Sequence, residues 1–125
     1  SPASSMKDYS WTGSSIRDCA IPRGKDTKYH IVQLKSFFEL RDEGADMHHC
    51  VGTYATSCSS GRCTIFSVRQ FTKGKFSQRT ATIEVRGRNV EQIRGKYNRK
   101  PDDTTMNIIK DWAYDEVLNI SKYAI

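Results

Sequence analysis

The amino-acid sequence predicts an α+β fold with two short N-terminal helices, a three-stranded antiparallel meander and a C-terminal helix. Segments with helical periodicity flank a run of three β-rich segments, and short turn sequences separate those three segments. With 125 residues, 37% of them hydrophobic, the chain is long enough for one modest core and too short for two. A single domain is therefore expected.

The first 28 residues are expected to form a poorly structured arm. They are rich in serine, glycine, proline and charged residues, and they show little hydrophobic periodicity. Residues 1–5 have the composition of a linker or a tag remnant. The domain itself is expected at residues 29–125, and it begins with a short extended segment at residues 29–34.

Two helices are predicted next, each with its own start signal. Ser36 followed by Glu39 matches a capping box, and Gly44 is expected to end this helix. Asp46 is a favourable N-cap for the second helix. The apolar positions of the second helix fall at helical spacing and predict one buried face: Met47, Cys50, Val51, Tyr54 and Cys58.

The meander is predicted from residues 63–69, 79–86 and 90–94, with a tight hairpin turn at Gly87-Arg88-Asn89. Apolar and polar residues alternate most clearly in the middle segment, which predicts one apolar and one polar face. One face holds Ala81, Ile83 and Val85, and the other holds Thr82, Glu84 and Arg86.

A last helix is predicted to begin at Asp102 or Asp103, because acids are stabilised at the positive end of a helix dipole. Its apolar residues recur at helical spacing, so one stripe should be buried. The stripe consists of Met106, Ile109, Ala113, Val117 and Ile120, with Trp112 at its margin.

The charge distribution favours nucleic acid as a partner. The net charge is +6, and residues 86–100, which we call the basic arm, hold six basic residues and one acid. The alternative is that the basic arm is only a solvated face. No apolar run approaches the roughly 20 residues of a membrane span. A cytoplasmic location without a membrane partner is therefore expected.

The four cysteines are expected to be reduced, because a chain of this length does not need disulfides to fold. Zinc is not expected, since the cysteines form no CxxC pair, and no other cofactor is indicated. The missing CxxC pair also argues against a zinc-dependent nucleobase deaminase.

The segment around His49 and Cys50 is the first candidate for chemistry. If Asp46 caps the second helix, Cys50 lies near the positive helix end, where a thiolate is stabilised and His49 can accept its proton. The alternative is that Cys50 is a small buried apolar residue and that the histidines are polar caps.

A second set of candidates lies on the strands and in the basic arm. Glu84 and Arg86 loosely match the E-x-K motif of restriction-type nucleases. Such a site needs a preceding aspartate to bind magnesium, and residues 69–81 contain no acidic residue. The arm combines side chains that can bind phosphates, stack on bases and read base edges. The alternative is that it is a charged loop without a binding role. The arm residues concerned are Gln92, Arg94, Lys96, Tyr97 and Asn98.

Several of these segments together resemble the PcfJ-like family of conjugative plasmids and phages. The matching motifs are Met47-His48-His49-Cys50-Val51-Gly52-Thr53-Tyr54, a strand ending at Arg69, Ala81-Thr82-Ile83-Glu84, and Gln92 through Asn98 to Pro101. The resemblance covers residues 36–115 and implies a role in DNA transfer. It also implies a site at its motif positions: His49, Cys50, Tyr54, Glu84, Gln92 and Asn98.

Three functional hypotheses remain from the sequence. The first is a nucleic-acid-associated domain of a mobile element or effector, with a pocket around His49 and Cys50 and with the basic arm on phosphates. The second is a toxin-type transferase or hydrolase, of a kind that modifies nucleotides or nucleobases, which uses a Cys50 thiolate with His49 as base. It would be delivered into a target cell by a larger protein and bound by an immunity or parent protein. Glu84 and Gln92 are the remaining catalytic candidates. The third is a non-catalytic interaction module.

Overall fold

A computed structural model of the protein describes residues 6–125 and shows an α+β domain built on one six-stranded sheet. The strands are β1 (Cys19–Arg23), β2 (Thr27–Leu34), β3 (Thr64–Thr72), β4 (Lys75–Arg86), β5 (Asn89–Arg94) and β6 (Asn119–Ile120). The helices are α1 (Phe37–Met47), α2 (Ala55–Ser59) and α3 (Asp103–Asp115), and short 3-10 turns lie at Gly52–Tyr54 and Lys96–Asn98.

The strands lie in the sheet in the order in which they occur in the chain. Neighbours from β1 to β5 are antiparallel, whereas β6 pairs with β5 in parallel. The β3–β4 hairpin turns at Lys73 and Gly74, which both have positive φ, as a two-residue turn of the favoured twist requires. Local hairpins thus account for most of the topology.

One face of the sheet packs against α3 and carries the larger hydrophobic cluster. Its centre is the contact between Phe66 and Trp112, whose rings lie 5.0 Å apart, edge to face. Both side chains are almost completely buried. The cluster also includes Ile31, Val68, Ile83, Ile93, Met106, Ile108 and Ile109.

The opposite face of the sheet packs against α1 and α2 through a smaller cluster of Leu34, Leu40, Ala55, Cys58, Cys63 and Ile65. Ser36 caps α1, since its hydroxyl accepts a hydrogen bond from the Glu39 backbone amide. The predicted helix start is thereby confirmed. The sheet is therefore covered on both faces, and the α1 face holds the site described below. Among residues 6–125, no helix is long and apolar enough to cross a membrane.

The predicted three-stranded meander corresponds to β3, β4 and β5, but the sheet has six strands. The expected extended segment at residues 29–34 belongs to β2. The expectation of a poorly structured arm fails for residues 19–23, which form β1. This edge strand has one half-exposed face and contains Pro22, so its sequence lacks the alternation that marks β4. Residues 1–5, the expected linker, lie outside the described residues.

The prediction of a second long helix starting at Asp46 is wrong. Helix α1 continues through Gly44 and Asp46 to Met47, and His48 ends it in a left-handed conformation at φ 54°. Gly44 does not terminate the helix because its role is steric. A Cβ added there would lie 2.8 Å from the His49 carbonyl oxygen. The chain after α1 folds back against this glycine.

The start of the last helix is confirmed, whereas its predicted end is not. The Asp102 carboxylate accepts from the Thr105 backbone amide and caps α3. The helix ends at Asp115, and Val117 is exposed with positive φ. Ile120 lies in β6 rather than on the helix. Trp112 is central to the core and not at its margin. The predicted stripe runs through Val117 and Ile120, but the helix ends before both of these residues.

Replacing Gly44 with alanine tests how tightly the following loop packs. Such a change normally stabilises a helix by about 1 kcal/mol. Here the new methyl group meets backbone, so we expect the free energy of unfolding in urea to fall by about 1–3 kcal/mol. Ala45→Gly, at an exposed position on α1, is the control. It measures how much an alanine-to-glycine difference alone changes the stability of this helix. Stabilisation by Gly44→Ala would contradict the packing argument.

Candidate functional site

A narrow pocket opens where the segment after α1 lies against the sheet. We call residues 48–54 the His49 loop. The cavity volume is about 50 Å³, far below the roughly 300–1,000 Å³ of pockets that enclose drug-sized ligands. A small polar group therefore fits, such as one oxygen of a phosphate. The pocket is lined by His49, Cys50, Val51, Tyr54, Ile65, Thr82, Glu84, Gln92, Arg94 and Asn98.

The register of β4 and β5 places four polar side chains side by side in this pocket. Thr82 lies opposite Arg94, and Glu84 lies opposite Gln92. Residues two apart on a strand point to the same face, and directly opposed residues share that face. The alternation of β4 therefore sends Thr82 and Glu84 towards α1 while Ala81, Ile83 and Val85 enter the core.

His49 is held by a hydrogen-bonded chain that crosses from the loop through the sheet to α1. Its Nε2 lies 3.1 Å from Thr82 Oγ1, and the Thr82 hydroxyl donates to Glu43 Oε2 at 2.5 Å. A hydroxyl has one proton, so with Glu43 ionised Thr82 accepts from the His49 Nε2–H. The lone pair of the ring then lies on Nδ1, which is buried and has no hydrogen-bond partner within residues 6–125.

Glu43 is completely buried, and its charge is balanced from β4. Arg79 Nε lies 3.0 Å from Glu43 Oε1, at an angle too oblique for a hydrogen bond, and another nitrogen of Arg79 binds Asp46 at 3.0 Å. Burial raises the pKa of Glu43, while the Thr82 hydrogen bond and the nearby arginines oppose this rise. A buried acid of this kind is held in place by its partners.

The environment of His49 favours the neutral imidazole. Burial lowers the pKa of His49 below its usual value. The C-terminal end of α1 would by itself favour the protonated ring, but that effect is only about 0.3–1 kcal/mol at exposed sites. Burial outweighs it, so the ring is a proton acceptor at neutral pH.

Glu84 is oriented by two neighbours at the other side of the pocket. Arg86 Nε donates to Glu84 Oε2 at 2.6 Å. Burial and a hydrogen bond to Glu84 raise the pKa of Tyr54 to about 12, so the phenol stays protonated. The Glu84 carboxylate is thus held between the Arg86 guanidinium and the Tyr54 hydroxyl. Its remaining lone pairs can accept hydrogen bonds from a group in the pocket.

Cys50 lies at the rim of the pocket and is exposed. The expectation that it occupies a buried stripe is therefore wrong, as is the expectation of a helix N-terminus beside it. It follows the C-terminus of α1, and α2 begins only at Ala55. The thiol is accessible, and it precedes only a 3-10 turn and the five-residue helix α2 rather than a long helix.

The turn after β5 completes the pocket in a strained backbone conformation. Tyr97 and Asn98 both have positive φ, 58° and 61°, which is uncommon for consecutive residues other than glycine. Tyr97 stacks on His48 with the ring centroids 4.4 Å apart. Arg94 donates from one nitrogen to the carbonyl oxygens of Ile93 and Ala124, which anchors its guanidinium. Strain at this turn is balanced by its contacts with the His49 loop.

Seven of the ten predicted site residues converge on the pocket: His49, Cys50, Tyr54, Glu84, Gln92, Arg94 and Asn98. Arg86 touches the site through Glu84, whereas Lys96 and Tyr97 lie outside the lining. Sequence reasoning missed Glu43 and the role of Thr82. A signal for Glu43 existed, because it falls on the buried stripe of α1 between Leu40 and Met47.

The cysteines and acids give no sign of a metal site. Within residues 6–125, no group of three histidine, cysteine, aspartate or glutamate side chains is arranged to hold a metal ion. All four cysteines are free thiols. The Cys58 and Cys63 sulfurs lie 3.6 Å apart in the α2 cluster and do not line the pocket.

Comparison with known proteins identifies the family. Residues 20–109 match the family described as PcfJ-like protein. The chain belongs to the PcfJ-like family. It is also 30% identical over 87 residues to "Uncharacterized protein Lin1253/Lin1744" of Listeria innocua serovar 6a, a match that covers 68% of this chain and 19% of that protein. No solved structure matches the chain significantly.

The PcfJ-like match begins earlier in the chain than the resemblance expected at residues 36–115. It includes β2 and all of β1 except Cys19, the two strands at the edge of the sheet, and it ends within α3. The family segment therefore contains every residue of the pocket as well as Glu43. The Listeria relative is much longer than the matched region, since this chain spans about one fifth of it.

Replacing Thr82 with valine tests the chain from His49 to Glu43. Valine keeps the shape but leaves a buried carboxylate without its donor, so we expect the free energy of unfolding to fall by about 1–3 kcal/mol in urea denaturation. Thr72→Val, at an exposed position on β3, should change it by less than about 0.5 kcal/mol. Equal effects of the two variants would contradict a structural role for the Thr82 hydroxyl.

The protonation of His49 should make stability depend on pH. The unfolded ring titrates near pH 6.5, and the folded ring titrates lower. Between these values the unfolded chain binds more protons, so the free energy of unfolding falls as the pH is lowered through this window. Glu43 acts in the opposite direction, because its pKa is raised.

The difference between the wild type and His49→Gln isolates the histidine from this opposing effect. The difference in the free energy of unfolding between these two proteins should fall as the pH is lowered, over the same pH range in which NMR shows the His49 ring to titrate. A His49 ring that titrates at or above pH 6.5 would contradict the argument.

Proposed function

We propose that this domain binds nucleic acid and that its pocket acts on a phosphate group of the bound strand, with His49 as the general base. The observation that carries this proposal is the neutral imidazole fixed by Thr82 and Glu43, in a cleft that the Glu84 carboxylate and Arg94 also line. A proton acceptor, fixed polar groups and a cation are the groups that phosphoryl transfer or hydrolysis needs. DNA is the preferred substrate.

In this proposal each pocket residue has a separate task. His49 accepts the proton of the attacking hydroxyl or water at Nδ1 as that oxygen bonds to phosphorus and the bond from phosphorus to the leaving oxygen breaks. The leaving oxygen takes a proton from solvent. Because Nδ1 is buried in the free domain, the bound strand must displace the His49 loop to reach it. Arg94 neutralises phosphate charge, and Gln92 and Asn98 orient the substrate through their amides. The small cavity volume supports action on a phosphate oxygen rather than enclosure of a whole base. Tyr54 and Arg86 hold Glu84 in position.

The basic arm supports contact with a polyanion. Arg94 and Asn98 line the pocket, and Lys96, Arg99 and Lys100 continue from it along a neighbouring groove. Lysine and arginine contacts to phosphates are sequence-independent and weaken steeply with salt. A strand that follows this arm would lead its phosphates into the pocket.

A second candidate is a toxin-type enzyme in which Cys50 is the nucleophile and His49 its base. The exposure of Cys50 at the pocket rim beside His49 favours it. It is the weaker candidate because the long helix expected to begin beside Cys50 is replaced by the C-terminus of α1 and a short 3-10 turn. It predicts loss of activity on removal of the thiol, which the first proposal does not.

The biological setting follows from the family as part of the same proposal. We propose that the domain works in the cytoplasm within a larger protein of a conjugative plasmid, phage or effector. The length of the Listeria relative supports a multidomain context. An immunity or parent protein is the expected partner if the domain is a toxin.

The proposal is tested with labelled single-stranded and duplex DNA and RNA, by binding at several salt concentrations and by mass analysis of products. His49→Ala should lower the rate by about 100-fold or more and leave binding nearly unchanged. Tyr114→Ala, at an 85% exposed ring on α3 outside the pocket lining, is the control.

Cys50→Ala separates the two enzymatic candidates, with Cys19→Ala as its control. Retained activity supports the base mechanism, and selective loss supports the thiol mechanism. Salt-dependent binding without a product from any of the substrates would refute the catalytic part of the proposal and indicate a non-catalytic binding module. No binding and no product would refute the proposal.

A further inference from the structure

We propose that the exposed end of the β2–β3–β4 ribbon is a stacking surface for single-stranded nucleic acid. Three rings form it: His30, Phe71 and Phe76, which we call the aromatic platform. This inference concerns a surface outside the pocket, and it stands whether or not the pocket is catalytic.

Strand pairing places the three rings on one face. Phe71 lies opposite Phe76 on β4, and Lys28 lies opposite Phe71 on β2. The ring centroids of His30 and Phe71 are 4.3 Å apart, and those of Phe71 and Phe76 are 5.8 Å apart. The rings therefore form one continuous strip across three strands.

This strip is accessible and borders a groove. Phe76 is 51% exposed, although a large apolar side chain on a strand is usually covered. The groove beside Phe71 and His30 has a cavity volume of about 470 Å³, several times that of the pocket at His49. A flat aromatic base fits a site of this size next to exposed rings.

The charges around the platform select an anionic occupant. Lys25, Lys28 and Lys73 line the groove, and Asp26 is its only acidic lining residue. From Arg69 to Thr80 the chain contains four basic residues and no acid. Basic groups interleaved with aromatic rings bind the phosphates and stack the bases of a single strand.

Single strands fit this arrangement better than duplexes. In a duplex the base faces are already stacked on one another, so protein rings cannot reach them without unpairing. A surface that only stabilised the hairpin would bury its rings and would not require surrounding lysines. The platform also lies on the same sheet face as Thr82. The β3 partners of Thr82 and Phe76 are Ser67 and Phe71, four residues apart, so the distance is roughly 13 Å at about 3.3 Å per strand residue. A strand seated there runs towards the pocket.

Fluorescence anisotropy with labelled oligothymidine, oligouridine and a DNA duplex tests the platform. Phe76→Ala should weaken binding of the single strands by about tenfold, and Phe76→Leu should do nearly the same because leucine is apolar but not flat. Tyr114→Ala, at an 85% exposed aromatic on α3, is the matched control and should bind like the wild type. Thermal unfolding of each variant verifies that the fold is intact.

Lysine variants test the electrostatic part. Lys73→Ala should weaken binding at low salt and reduce the salt slope by about one, whereas Lys110→Ala on α3 should not. The binding readout separates this proposal from that for the pocket, because it requires no product. Wild-type affinity in Phe76→Ala, equal loss in Tyr114→Ala, or equally tight binding of duplex would overturn the stacking surface.

Discussion

The hydrogen bond from Thr82 to the buried carboxylate of Glu43 joins the helix α1 to the centre of the sheet. The acid is completely buried on the α1 face, so it must keep its donor and its arginine. This requirement fixes the angle of α1 over β4 and hence the point at which the chain leaves the helix. The His49 loop starts there, and the same threonine holds the histidine ring. Packing and site geometry are therefore set by one interaction.

The two faces of the sheet have separate tasks because strand residues alternate. On β4 the apolar residues enter the α3 core, while Thr82, Glu84 and Arg79 face α1. The core face can therefore be densely packed without constraining the polar face. Helix α1 covers only part of that polar face, and the rest remains open towards Phe71 and Phe76. A pocket and an exposed ribbon thus share a single rigid support.

Local signals in the sequence predicted much of the fold and of the site. The alternation of β4, the Ser36 cap and the start of α3 depend on neighbouring residues, and all three are found. The six-stranded sheet was not predictable in this way, because β1 has no alternation and β6 has two residues. The pocket was largely predicted by the family motif, since periodicity alone does not report which segments meet. Glu43 was missed because a charged residue on a helix is normally assigned to solvent.

The error at Asp46 changes the chemistry expected of the pocket. A helix N-terminus there would have stabilised a thiolate at Cys50 and made the cysteine the reactive group. The observed C-terminus of α1 removes that effect, and the left-handed residue His48 turns the chain so that His49 enters the pocket while Cys50 stays at its rim. Burial then keeps the imidazole neutral against the weaker pull of the helix end. The helix polarity at this point is therefore one reason why the proposed mechanism assigns the proton transfer to the ring nitrogen rather than to the sulfur.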